Sequence, residues 1–141
     1  MKTYLFACVH NAGRSQMAAA FFNALADPAA ARAVSAGTAP GHRVHPEVVA
    51  AMREAGIDLA GATPQKLTDT LAREATLLIT MGCGDACPYV PGLRLEDWPL
   101  PDPKGQPPDV VSRIRDDIRD RVASLIDREH LPRSTSRERK K

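Results

Sequence analysis

The segment CVHNAGRS sets Cys8 and Arg14 six positions apart, directly after the apolar run Tyr4-Leu5-Phe6-Ala7 and before a stretch with helical periodicity. In a loop that leads from a strand into a helix, the backbone N–H groups of His10, Asn11, Ala12, Gly13, Arg14 and Ser15 can turn inward. The first helical turn adds its own unpaired donors, and together these form a nest for a tetrahedral oxyanion. A cysteine at the base of such a nest faces concentrated positive potential, which favours the thiolate, the nucleophilic form. Arg14 brings a planar fork of donors able to hold two anion oxygens at once. Asn11 suits a left-handed backbone position in mid-loop, Gly13 permits close approach, and Ser15 can hydrogen-bond the sulfur or cap the helix. The competing reading is a buried structural cysteine in an ordinary strand-to-helix turn. The strand before, the helix after, and the Asn, Gly and Ser between favour catalysis.

The other two thiols, Cys83 and Cys87, stand in MGCGDACPY. A zinc site needs a second close-spaced ligand pair, and one distant thiol with four scattered histidines does not supply it, so no metal is expected. Two inert buried cysteines remain as an alternative, weakened by the flanking glycines. In DWPLPDP, Asp102 lies between two prolines, where a turn role is the ordinary reading. Glu96 and Asp97 are the neighbouring carboxylates. His10 can tune Cys8 or point to solvent, and His42, His45 and His130 read as structural or exposed. Tyr89 and Trp98 flank the segment and fit either a site rim or the core.

These residues need a frame. Thr3 to Ala7 reads as a buried strand, and Ser15 to Ala26 as a helix with Met17, Ala20, Phe21, Ala24 and Leu25 on one face. A short strand is expected around Ala33 to Ala36. A helix starts at Pro46, carries Val48, Val49, Met52 and Ala55 on one side, and stops at Gly56. A further short helix is expected over Leu67 to Arg73. The run Ala75 to Met81 fits a central strand covered on both faces, and Leu93 to Trp98 a fourth strand. In the last helix Val111, Ile114, Ile118, Val122, Leu125 and Ile126 step by three and four. Strands alternating with amphipathic helices predict an α/β fold, a parallel sheet with helices on both faces and ligands beyond the carboxyl ends of the strands. Cys8 and Cys83 then share one rim.

Length and charge bound the rest. A chain of 141 residues fits one domain, taken here as residues 1–130 followed by a basic, solvated tail over 131–141. The tail holds five basic residues against Glu138, a net of +4 in a chain of net +2, so residues 1–130 carry −2. A slightly acidic body argues against a nucleic-acid partner. No apolar run approaches the roughly 20 residues of a membrane span, and no signal-peptide pattern opens the chain, so a cytoplasmic monomer is expected. An odd cysteine count without an export signal points to reactive thiols rather than a disulfide framework.

CVHNAGRSQMA resembles the anion-binding loop of the low-molecular-weight protein tyrosine phosphatase family, and more closely its arsenate reductase branch. The resemblance extends through SAGT (Ser35 to Thr38), HPEVVAAMREAGIDL (His45 to Leu59), LLITMGCGDACP (Leu77 to Pro88) and EDWPLPDP (Glu96 to Pro103), and so covers residues 3–128. Gln16 follows the Arg-Ser pair as in the reductases, where the phosphatases usually have proline. The resemblance implies a flavodoxin-like, doubly wound four-stranded parallel sheet. It also implies that Asp102 is the general acid of an Asp-Pro loop and that Cys8 attacks arsenate. Cys83 then attacks Cys8 to release arsenite, and Cys87 attacks Cys83 to leave a Cys83–Cys87 disulfide for thioredoxin to reduce. No bound cofactor is implied, and phosphate or sulfate would compete for the nest. Only three residues separate Cys83 from Cys87, shorter than in many thioredoxin-coupled relatives. This leaves room for mycothiol or glutathione as the reductant. Two other functions compete: a phosphatase acting on phosphotyrosine or small phosphoesters, and a non-catalytic thiol binder of arsenite or metal.

Overall fold

The computed structural model describes residues 1–82 and 91–134. Cys83, Cys87 and Tyr89 therefore lie outside the described residues. The elements are β1 (Lys2–Cys8), α1 (Arg14–Leu25), β2 (Ala31–Gly37), α2 (Pro46–Glu54), α3 (Asp69–Glu74), β3 (Leu77–Thr80), β4 (Arg94–Asp97) and α4 (Pro108–Arg128). All strand pairs are parallel, in the order β2-β1-β3-β4. This is the expected doubly wound four-stranded sheet, with β1 at its centre.

Period-two alternation sends the side chains of β1 to two separate cores. Tyr4, Phe6 and Cys8 join Met17, Phe21 and Phe22 of α1, Val48 and Met52 of α2, and Ile114, Ile118 and Val122 of α4. Leu5 and Ala7 face the other way, with Ala36, Leu67, Leu78 and Ala72 of α3. Covered on both faces, the strand reads as one apolar run from Tyr4 to Cys8. In α4, all six residues that the periodicity singled out are buried.

The inner face of α1 is broader than expected. Ala18, Ala19 and Phe22 are buried, whereas Ala20 and Ala24 lie at the edge. The short alanines let α1 sit closely between the sheet and α4, so burial wraps around it and blurs the 3.6-residue period. Thr68 caps α3 by accepting the Leu71 N–H at 3.1 Å, which starts that helix at Asp69 rather than Leu67.

The edge strand β4 is exposed at Arg94, Leu95 and Asp97 and is fastened to the end of α4 by two ion pairs. Arg94 holds Glu129 bidentately at 2.8 and 3.0 Å, and Arg128 holds Glu96 at 2.9 and 3.1 Å. Glu129 also accepts the hydroxyl of buried Tyr4 at 2.8 Å. The Arg94 hydrogen bond, opposed by burial and aided by Tyr4, holds the Glu129 carboxyl down at about 2. Burial first, then the Glu129 contact, pushes the Tyr4 hydroxyl well above the usual tyrosine range.

The chain from Leu131 to Ser134 does not leave the body as the 1–130 boundary supposes. Asp27 N donates to Pro132 O at 2.9 Å, Ser134 N donates to Leu25 O at 2.8 Å, and Ala26 bridges Arg133 antiparallel. These ties are backbone bonds past the end of α1, so no side-chain pattern announces them. Among the described residues, no helix is long and apolar enough to cross a membrane.

Candidate active site

At the carboxyl end of β1 the chain turns away from the sheet, and outside donors hold its carbonyls. Cys8 O accepts Thr38 N, Val9 O accepts Ala39 N, His10 O accepts Gly41 N, Ala12 O accepts His45 N and Gly13 O accepts Met17 N, all at 2.8–3.2 Å. Asn11 O accepts Gln16 Nε2 at 3.0 Å. Six successive carbonyls are thus turned outward. In a trans peptide the N–H points opposite to the preceding carbonyl, so the amides of residues 9–14 converge on the inner side. Six such donors side by side are what a nest for an oxyanion requires, and α1 begins beside them at Arg14.

Asn11 takes the left-handed conformation, with φ of 51°. Its side chain is fixed from both sides. Gln65 N donates to Asn11 Oδ1 at 2.9 Å, and Asn11 Nδ2 donates to Ser15 Oγ at 2.7 Å. Ser15 Oγ stands 2.9 Å from Cys8 Sγ. With Asn11 donating into the hydroxyl oxygen, the one hydroxyl proton of Ser15 is free to point at the sulfur, an arrangement suited to a thiolate acceptor. Ser15 therefore serves the sulfur, while Gly13 occupies the cap position of α1 without a side-chain bond. Cys8 is a free thiol, 2% exposed.

Register places the neighbours of the nest. Cys8 pairs with Gly37 of β2, and Ala7 pairs with Thr80 of β3. A Cβ on Gly37 would lie 2.6 Å from Val9 O, so only glycine lets the loop fold back over β2. Two residues beyond β3, Gly82 has φ of +99°, and a Cβ there would lie 2.6 Å from Arg14 Nη1. The Arg14 guanidinium sits directly against this bare backbone, Nη1 nearest. Neither glycine has a role that sequence reasoning had singled out at the nest. Their place at or just past a strand end, within SAGT and LLITMGCGDACP, is the signal the sequence holds.

Of the three candidate acids, Asp102 is the one beside the nest. Its Oδ2 lies 3.9 Å from Arg14 Nη2, and its side chain is half exposed. Arg14 Nη1 donates to Leu100 O at 3.0 Å, which brings the loop across the nest. Glu96 is occupied by Arg128 and by the Trp98 indole N–H at 2.9 Å, and Asp97 accepts the Thr80 hydroxyl at 2.7 Å. Trp98 is core, packed against Phe6 with ring centroids 5.6 Å apart. The His10 ring turns out to the Ala39 carbonyl at 3.1 Å, leaving its backbone amide to the nest. Among the described residues no three His, Cys, Asp or Glu side chains converge as a metal site.

The arrangement can bind a tetrahedral oxyanion against a buried sulfur, beneath an arginine and beside a carboxyl group. Residues 3–138 match the family described as low molecular weight phosphotyrosine protein phosphatase. The glutaredoxin arsenate reductase of Synechocystis sp. is 37% identical over 129 residues, 89% of this chain and 97% of that protein. An arsenate reductase of Staphylococcus aureus is 36% identical over 123 residues, 84% of this chain and 91% of that protein. Among solved structures, the thioredoxin-dependent arsenate reductase of Corynebacterium glutamicum superposes with a TM-score of 0.76 at 37% identity. That match covers 90% of this chain, which spans 61% of the length of that structure.

Proposed function

The chain belongs to the low molecular weight phosphotyrosine protein phosphatase family, and from that membership we propose that it is an arsenate reductase acting through Cys8 and drawing electrons from an external thiol reductant. The observation that carries the reading is the set of six outward carbonyls around Cys8, with Ser15 on the sulfur and Arg14 overhead. Such a cradle holds arsenate and phosphate alike, and the relatives named as arsenate reductases favour the first. Phosphate and sulfate compete for it.

In the proposed sequence the inward amides of His10 to Arg14, the Ser15 N–H in the first turn of α1 and the Arg14 fork hold the arsenate oxygens. The Cys8 thiolate attacks arsenic, and Asp102 gives a proton to the departing oxygen, so water leaves and a sulfur–arsenic bond forms. The Cys83 thiolate then attacks the Cys8 sulfur. The electron pair of the sulfur–arsenic bond goes to arsenic, arsenite departs, and a Cys8–Cys83 disulfide remains. Cys87 attacks Cys83, freeing Cys8, and a dithiol such as thioredoxin reduces the Cys83–Cys87 bond. Two thiols become one disulfide for each arsenate reduced, which balances the two electrons. The work is cytoplasmic, where such reductants are abundant.

The test is arsenite formation by thiol variants with several reductants supplied separately. Cys8→Ser abolishes turnover with every reductant. Cys83→Ser/Cys87→Ser stops thioredoxin-coupled turnover but keeps slow Cys8-dependent hydrolysis of an aryl phosphate, because hydrolysis moves no electrons. Cys87→Ser alone gives about one turnover and a Cys8–Cys83 disulfide visible by mass spectrometry. Normal thioredoxin-coupled turnover by the double variant refutes the relay. Turnover only with a small thiol replaces thioredoxin by a glutathione- or mycothiol-type reductant.

A further inference from the structure

The loop after β4 carries Asp102, and three contacts hold it over the nest. At its near end Leu100 O accepts Arg14 Nη1 at 3.0 Å. In its middle, buried Pro103 packs on Gly13, where an added Cβ would lie 3.0 Å from Pro103 Cγ. At its far end Gly105, with φ of +72°, donates its N–H to Glu47 Oε2 at 2.7 Å. The first two contacts come from the nest itself. The third comes from the first turn of α2, 58 residues away in sequence, from a side chain that touches neither sulfur nor nest.

We propose that Glu47 is a positioning residue for the reaction: by holding the Gly105 N–H it latches the far end of the 98–106 loop to α2 and keeps Asp102 over the nest. The inference rests on the reading of Asp102 as the acid. Asp102 Oδ1 accepts the Lys104 N–H at 3.0 Å, so the carboxyl group and the latched peptide form one tight turn. Whatever fixes Gly105 therefore fixes Asp102. The Gly105 N–H, aided by the α2 backbone and His45 and opposed by burial and by Asp102, holds the Glu47 carboxyl below the usual carboxylate range. The latch is therefore charged at neutral pH, and its hydrogen bond is of the stronger, charge-assisted kind. A loop released at this end still has Arg14 and Gly13 as anchors but loses the constraint on the acid's direction.

The experiment is single-turnover arsenite formation by pre-reduced enzyme with no added reductant, across a range of arsenate concentrations in excess over the enzyme. Glu47→Ala lowers the maximal rate about tenfold, a fraction of what a general acid supplies. The half-saturating arsenate concentration stays within about twofold, since the nest is untouched. Glu47→Gln keeps an oxygen to accept Gly105 N–H and recovers most of the rate. Glu47→Ala/Asp102→Asn is no slower than Asp102→Asn, because the latch acts only through the acid. The proposal is overturned by a wild-type maximal rate for Glu47→Ala, by Glu47→Gln being as slow as Glu47→Ala, or by losses that multiply in full in the double variant. A wild-type rate for Asp102→Asn removes the acid itself and the latch with it, a failure read from a different protein than the latch's own.

Discussion

Replacing Gly82 with alanine tests how the nest keeps its arginine. The backbone at Gly82 has φ of +99°, a region that costs a side-chain-bearing residue about 1–3 kcal/mol. The new Cβ also falls 2.6 Å from Arg14 Nη1, so the guanidinium must move and give up its bond to Leu100 O. A hydrogen bond to a charged group contributes about 1.5–3 kcal/mol, equivalent to a ten- to roughly hundredfold change in affinity if the same displacement removes Arg14 from the anion. Gly82→Ala should therefore lower Tm by about 3–10 °C and weaken sulfate or phosphate binding by one to two orders of magnitude. Gly56→Ala is the matched control. Gly56 has φ of +85° with nothing within 4 Å of an added Cβ, so it carries the backbone cost without the collision. It should lose stability and keep anion affinity. Calorimetric titration with sulfate beside thermal melts separates the two. If Gly82→Ala binds sulfate as tightly as Gly56→Ala, the account of how Arg14 is seated is wrong.

The Glu129 carboxyl, held at about 2 by Arg94, supports the fold above the ordinary carboxylate range, and that support is lost as pH falls toward 2. Glu129→Gln should be less stable at neutral pH and show a flatter fall of urea midpoint below pH 4–5 than the parent protein; equal slopes would refute the assignment. Ending the chain after Leu131 removes the bonds to Leu25 and Asp27 and should lower Tm by a few degrees, about 1–2 kcal/mol in all, relative to a chain ending after Ser134.

Much of this molecule is readable from its residues because the relevant forces are local. Val111, Ile114, Ile118, Val122, Leu125 and Ile126 mark α4 by spacing alone, and the position of Asn11 in mid-loop marks its left-handed turn. Where two elements meet, the pattern weakens. The face of α1 is blurred by alanines pressed between two layers, and the docking of Leu131 to Ser134 uses main-chain groups that every residue owns. The nest loop is visible in CVHNAGRS, yet Gly37 and Gly82 matter only because parallel register brings their backbones against it. Nothing in the spacing of Glu47 and Gly105 signals that they meet. Such long-range partners have no period to betray them.

The central place of β1 in the sheet also orders the assembly of the site in time. As a growing chain emerges, β1, α1 and β2 form one local unit, and Thr38, Ala39, Gly41 and His45 supply the donors that turn the nest carbonyls outward. All of these lie in the first third of the chain. The partners Gly82, Leu100 and Asp102 arrive much later, and α4, which shares the α1 core through Ile114 and Ile118, arrives last. Because non-local pairings close only after the intervening chain is made, the anion cradle can precede its acid during synthesis. On the proposed reading, a partly made chain then carries Cys8 and its loop but lacks Asp102, so chemical competence comes only with the closing of the second half of the sheet.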